Sequence, residues 1–492
     1  MNLEGVLKTQ LLQQECHFTW SLREEDFFLC DLLNRLEEQI QLESSEARVT
    51  RAYSSFGFVQ YLYGNQQEAL ANLQKSVQLA EEHYKDSDEV LIVTYGDLAW
   101  LHYHMNDFST CQEYLRQLER IHRKFSEGFT DTVEVLREKG WVFLKFSHKY
   151  YNAAKECFRQ ALEMNPDDRD LNTGYAIALY RMTNETSDPS DSPIIKQLRR
   201  AIELNPDDAV LLVLLALRML HDRDDKKMLD TALQMVIMAL VKSHENPHVI
   251  RYAAKFCRQL GNMDAAISLL KEALQSTPNS AFIHHQLALC YKNKKIFLER
   301  KYRTPGKTEF DVKESYEIQQ YLQQCIYHLE KAIYLKPSFI VAMADLALHY
   351  GQLGTTWYFK AESLFEEAFK LANKEKQHLQ TVHSLCGQYQ LYTKRSEQLS
   401  IYHFMQGLRL QPKSEQGKLC EENLNKVIEH RIGRVKILDV RKVCAVKGFI
   451  HEMKGEKLKA EEFYVRALTK GLDFGKYIFY FMFLCFKTCF NI

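Results

Sequence analysis

Apolar and small side chains recur along most of this chain at steps of three and four, with polar runs between them. That is the spacing of helices that bury one stripe, and no Val/Ile/Thr-rich alternating run predicts a sheet. Between Trp141 and Arg181 the residues Ala154, Phe158, Ala161 and Pro166 stand at intervals of four, three and five. Small residues let two antiparallel helices approach, the large one fills the gap between them, and proline ends the second helix because it lacks an N–H and clashes with the preceding turn. The same intervals recur at Ile194, Leu198, Ala201 and Pro206; at Ala266, Leu270, Ala273 and Pro278; at Cys325, Leu329, Ala332 and Pro337; and at Ser400, Phe404, Gly407 and Pro412. Copies without the proline lie at Ala69 and Leu73, Cys111 and Leu115, Ala361, Phe365 and Ala368, and Ala460, Tyr464 and Ala467.

Pro206 to Pro278 and Pro337 to Pro412 each span roughly two units of ~34 residues, the period of the tetratricopeptide (TPR) repeat. The predicted fold is therefore all-α: a TPR helix-turn-helix superhelical solenoid with an N-terminal helical extension. Its predicted parts are a segment 1–46 packing on the first repeats, an N-terminal TPR block 47–235, a C-terminal TPR block 236–471 and an atypical apolar tail 472–492. A solenoid shares one continuous core, so 492 residues need not mean several globular domains.

The formal net charge is zero, so no whole-molecule field announces a nucleic acid or a membrane, and any binding surface must come from how charges are distributed. Twelve cysteines are scattered singly, with no Cys-x-x-Cys, as expected of reduced thiols in a cytoplasmic protein. Residues 1 to 10 lack an apolar signal core, which leaves the sequon Asn184-Glu185-Thr186 without a use. The acidic piece Met182 to Pro193 reads as an exposed loop.

Two motifs fail on chemistry. Gly306-Lys307-Thr308 resembles the end of a phosphate-binding loop, but Lys301 stands where the first glycine belongs and no strand precedes it. His244-Glu245-Asn246-Pro247-His248 fits the letters of a zinc-protease motif, yet Pro247 would break the helix that must carry both imidazoles. No catalytic residue, metal site or cofactor is expected.

The first helix of a TPR unit lines the concave wall, and places separated by three or four residues share its inner face. Counting back from Ala266 puts His248, Arg251, Lys255 and Arg258 there; counting forward from Pro166 and Pro278 adds Asp170, Ile177, Arg181 and His285, with Lys292 at the rim. Such a groove concentrates positive potential and suits an anion. Trp141, Tyr150, Tyr151, Tyr175 and Tyr252 lie close by these places, and cations interleaved with rings suit single-stranded nucleic acid. Trp141 also occupies a packing place of its repeat, so spacing alone allows it to be core. Arg35 and Gln39 share one face of an amphipathic helix from Leu29 through Ile40, by default a solvated one.

CHFTW at 16–20, GYAIALYR at 174–181, the NPDD runs, RYAAKF at 251–256 and HHQLALCYK at 284–292 together resemble the interferon-induced proteins with tetratricopeptide repeats, from about residue 8 to about 470. The resemblance implies a cytoplasmic antiviral effector of innate immunity. Such a protein captures the 5′ end of single-stranded RNA, a 5′-triphosphate or a cap lacking 2′-O-methylation, in a positive tunnel and blocks translation without catalysis. It implies Trp141, Ile177, Gln39 and Asp170 as cap contacts, and Arg35, Lys145, Tyr151, Arg181, Arg251, Lys255, His285 and Gln286 as phosphate contacts, to which the inner-wall count adds Arg258. It also implies homo- or hetero-oligomers with related TPR proteins and contact with the translation machinery. Three positions depart from the family: Glu43 replaces a leucine of the cap pocket, Val210 a channel tyrosine and His248 an inner-wall tyrosine.

The tail DFGKYIFYFMFLCFKTCFNI is unlike the family's polar endings. Its apolar run Tyr477 to Phe486 is ~15 Å long as helix, too short for a bilayer span of ~20 residues. Cys489 to Ile492 fits a prenylation signal only superficially. Tyr464 and Leu468 fit an assembly element of some relatives. The competing expectation is a TPR scaffold that grips acidic protein tails.

Overall fold

The computed structural model describes residues 3–26, 29–43, 45–84, 88–125, 132–182, 192–220, 226–244, 246–302, 312–432 and 437–469. The phosphate-loop-like fragment, the sequon and the apolar tail lie outside them. Among the described residues all regular structure is helical, and the helices pair as the intervals predict, giving the all-α TPR solenoid.

Two compact units divide between Ser338 and Phe339. In the first, antiparallel pairs run Glu46–Leu62 with Gln66–His83, Ile92–His104 with Phe108–Phe125, Val133–Phe146 with Tyr151–Met164, Arg169–Met182 with Pro193–Leu204, Ala209–Met219 with Lys226–Lys242, Pro247–Gln259 with Met263–Ser276, and Ala281–Tyr302 with Val312–Leu335. In the second, Ile340–Leu353 pairs with Tyr358–Glu375, Leu379–Gln388 with Glu397–Leu410, and Ile437–Met453 with Lys457–Thr469; Glu415–Ile432 packs on Glu397–Leu410.

The small-large-small positions are the core. Ala154, Phe158 and Ala161 are fully buried, as are Leu198 and Ala201, Ala266 and Ala273, and Ala361 and Ala368. The Phe158 ring is wedged between two first-helix glycines: a Cβ on Gly140 would lie 2.9 Å from it and one on Gly174 only 2.5 Å. In the second unit Tyr389 and Phe404 sit in the same way against Gly351 and Gly387, each 2.6 Å from a hypothetical Cβ. Gly174→Ala is therefore expected to destabilise the protein by ~1–3 kcal/mol through overpacking, measured as a lower urea midpoint. A midpoint unchanged from wild type would mean that the ring has room to move.

The prolines act through the residue before them. Asn165, Asn205, Thr277 and Gln411 have φ between −150° and −131° and ψ between 66° and 87°, outside the helical region because the following ring excludes it. Each second helix thus stops two residues ahead of its proline, and the chain turns into the next unit.

Part of the N-terminal segment lies against the first repeats. Its anchor is His17, fully buried between the rings of Phe58 (5.2 Å), Trp20 (4.9 Å) and Phe146 (6.2 Å). Asp97, also fully buried, lies 2.6 Å from His17 Nδ1 through Oδ2 and accepts the His17 backbone N–H through Oδ1 at 3.0 Å. Burial alone would push the imidazole pKa down, but the facing Asp97 leaves it raised. Burial also raises the Asp97 carboxyl, in spite of the imidazole opposite it.

Candidate nucleic-acid interface

The Leu29–Leu42 helix crosses the first unit and is held from three directions. Arg35 Nη1 donates to the carbonyl of Lys145 at 3.1 Å, Glu38 faces Arg251 at 3.5 Å, and Asp31 accepts from Ser338 Oγ at 2.6 Å beside Lys336 at 3.5 Å. Arg23, Asp26, Lys149 and Tyr150 tie the preceding segment to the turn after the Val133–Phe146 helix.

Behind this crossing helix, cations from separate repeats converge. Arg181 donates to the Leu144 carbonyl at 2.8 Å and lies 5.8 Å from the Tyr151 ring, and the nearby Tyr151 and Tyr252 favour its charged form against enclosure. Arg251 bonds the His248 ring at 3.0 Å. These groups sense one another. Arg35 is pulled down by its enclosure and then by Arg181, and His248 is pushed down to about 3 by enclosure, Arg251, Arg181, Arg48 and Lys145. Arg35, Arg181 and His248 nevertheless keep solvent exposure. Exposed side chains ringed by like charges line a shared hollow, and a hollow of that kind attracts anions.

Lys145 belongs to the same hollow. Enclosure, with Arg51 and Arg48 beside it, brings its ammonium down to about 7, although Glu43 and Asp170 partly offset them. Its Nζ stands 5.7 Å from the Trp141 ring and Arg48 Cζ 5.6 Å from that ring. Trp141 is 8% exposed, its edge packed on Phe158 at 5.5 Å, and its Nε1 donates to Asp170 at 2.9 Å. The tryptophan is thus anchored in the core and has cations against its ring.

Asp170 is held by Arg51 (3.0 Å), Arg48 (3.3 Å), Arg137 (3.8 Å) and the Trp141 N–H. Burial works against its charge, but those donors keep its carboxyl at about 2. Arg48, Arg51 and Arg137 were absent from the inner-wall count. Arg51 Nε is buried with no hydrogen-bond partner among the described residues. The signal was available, because Arg48 and Arg51 stand three apart on one face of the Glu46–Leu62 helix.

Of the other expected contacts, Gln39 and Ile177 are half-buried, and Ile177 packs on the cores to either side of it. Lys255 is one turn beyond Arg251. Arg258 reaches Gln286 Oε1 at 3.2 Å, and His285 and Gln286 are buried at 7% and 6% exposure. The Arg258–Gln286 contact thus joins the Pro247–Gln259 helix to the Ala281–Tyr302 helix, two turns beyond Arg251.

The zinc-like motif divides as its proline requires. Pro247 opens the Pro247–Gln259 helix with His248 behind it, His244 lies in the preceding turn, and Glu245 is outside the described residues. Among the described residues no group of three His, Cys, Asp or Glu side chains could hold a metal. A row Ser55, His17, Asp97 does have a relay's order, with Ser55 Oγ 3.4 Å from His17 Nε2. All three are at most 2% exposed, so no substrate reaches them.

Comparison with known proteins follows the same lines. A tetratricopeptide-repeat profile matches residues 145–168 and 253–280. The human antiviral innate immune response effector IFIT1 is 33% identical over 95% of this chain and 96% of its own length, and human protein IFIT1 homolog B is 35% identical over 95% and 97%. Among solved structures, a monomeric IFIT1 mutant with Gppp-AAAA superposes with a TM-score of 0.82 at 31% identity, covering 95% of this chain and 100% of that one. The human IFIT1 dimer with PPP-AAAA gives 0.78 at the same identity and coverage.

Proposed function

Because the chain belongs to the family of interferon-induced proteins with tetratricopeptide repeats, we propose that it is an antiviral effector that binds the 5′ end of single-stranded RNA, triphosphate or capped, in the hollow behind the Leu29–Leu42 helix. The observation that carries this is the convergence of Arg35, Lys145, Arg181 and Arg251 from four separate helices on one enclosed space. Phosphates lie among those four, with Tyr151 and Tyr252 as hydroxyl donors, and the chain leads on toward Lys255, Arg258, His285 and Gln286. The terminal base lies at Trp141, bounded by Gln39, Asp170 and Ile177.

The action is capture and not catalysis. Binding withholds the RNA end from the translation machinery in the cytoplasm. No helix among the described residues is long and apolar enough to cross a membrane. Self-association belongs to the same proposal, since related IFIT1 was solved as a dimer. The Lys457–Thr469 helix exposes Leu458, Val465 and Leu468, whereas Tyr464 bonds Glu452 at 2.6 Å.

Trp141→Ala separates the two ends of the site. Loss of stacking should cost ~1–3 kcal/mol for capped RNA and less for triphosphate RNA, read by filter binding. Equal losses on both would make the tryptophan a packing residue alone.

A second expectation concerns pH. The Lys145 pKa of about 7 means that the free site must take up a proton before this residue can grip a phosphate. Affinity should therefore weaken as pH rises through about 7, by up to about tenfold per unit. A capped RNA is the right probe, because its bridging phosphates do not titrate there, and Lys145→Arg should flatten the profile. An affinity constant from pH 6 to 9 would remove Lys145 from the grip.

A further inference from the structure

The two carboxylates nearest the Trp141 end of the hollow differ in what they have left to offer. Asp170 spends Oδ1 on Arg48 and Oδ2 on Arg51 and the Trp141 N–H, with Arg137 behind them. It can turn to a ligand only by releasing partners that it holds at 2.9–3.3 Å. Glu43, just past the Leu29–Leu42 helix, keeps one oxygen on the Ser45 backbone N–H at 3.2 Å. Its other oxygen is 3.9 Å from Arg48 Nη1, too long for a hydrogen bond. Among the described residues Glu43 Oε2 has no closer partner, and the side chain is about one-fifth exposed.

Glu43 also stands where it acts on both cations that approach the tryptophan. It pairs with Arg48, and its charge reaches Lys145. The Trp141 end is thus the charge-compensated end of the hollow, with Glu43, Asp170 and Asp208 set against Arg48, Arg51, Arg137 and Lys145. The Arg35, Arg181, Arg251 end is the positive one.

We infer that Glu43 is a specificity-determining residue, selecting a guanosine-capped RNA end over a bare triphosphate. The inference rests on the 5′-end reading above. A guanine held against Trp141 presents N1–H and N2–H donors on its Watson–Crick edge, and a carboxylate with a spare oxygen accepts from that edge. A bare triphosphate instead brings a terminal phosphate carrying up to two charges toward the same carboxylate, and like charges in an enclosed site repel strongly.

The test uses the full chain and three RNAs of one sequence, ending in 5′-hydroxyl, 5′-triphosphate or a guanosine cap. Glu43→Gln keeps the size of the side chain and its acceptor for Ser45 but removes the charge. It should weaken capped RNA about fivefold and strengthen triphosphate RNA about threefold, shifting the ratio by about tenfold or more. Glu43→Ala should shift the ratio in the same direction, with wild-type urea midpoints for both variants showing that folding is intact. A ratio within twofold of wild type, or a shift the other way, overturns the inference while leaving 5′-end binding in place. A wild-type protein that binds the 5′-hydroxyl RNA as tightly as the other two overturns the 5′-end reading, and the inference with it.

Discussion

Replacing Asp97 by alanine should destabilise the protein by ~3–5 kcal/mol, the usual cost of leaving one member of a buried ion pair alone. The carboxylate accepts both the imidazole and the backbone N–H of His17, and neither donor has water to replace it. Alanine would leave two orphaned donors at the place where the N-terminal segment joins the first repeats. Urea unfolding followed by circular dichroism measures the loss, and limited proteolysis should cut first near residues 12–26. A loss below about 1 kcal/mol would show that the segment is held by its rings alone.

Arg181→Ala should weaken binding of 5′-triphosphate RNA by ~1.5–3 kcal/mol, about 10- to 100-fold, the range of one or two charge-assisted hydrogen bonds in an enclosed site. The guanidinium is fixed by the Leu144 carbonyl and set against Tyr151, so its remaining N–H groups are aimed before any ligand arrives. Arg181→Lys should recover only part of the affinity, because an ammonium cannot reproduce the planar fork. Unchanged affinity at a wild-type urea midpoint would remove Arg181 from the site.

The sequence made the architecture legible because the TPR pattern is local. Ala154, Phe158 and Ala161 need only their spacing to identify a helix face, and Asn165 before Pro166 needs only its neighbour to leave the helix. The shared helices of the candidate residues were legible for the same reason. Asp170, Ile177 and Arg181 share one helix, and so do His248, Arg251 and Lys255.

What joins elements far apart in sequence was not legible. Arg48 and Arg51 meet Asp170 across 122 and 119 residues, and His17 meets Asp97 across 80, distances over which helical periodicity carries no information. Asp97 did leave a trace as a lone carboxylate in the apolar run Ile92–Leu101, where burial demands a partner. Arg35 keeps the exposure of a solvated face, but its bond to the Lys145 carbonyl spans 110 residues and was hidden for the same reason. The commitment of the Asp170 oxygens to Arg48, Arg51 and the Trp141 N–H was equally hidden, since two of those partners lie more than a hundred residues away.

Capture of an RNA terminus by the enclosed cations is tested most directly by titrating the wild-type chain against two RNAs identical except at the 5′ end, hydroxyl and triphosphate, at one salt concentration. The triphosphate RNA should bind on the order of 100-fold tighter, since only it presents the extra charges that Arg35, Lys145, Arg181 and Arg251 converge on. Equal affinity for the two would mean that the hollow does not recognise an RNA 5′ end.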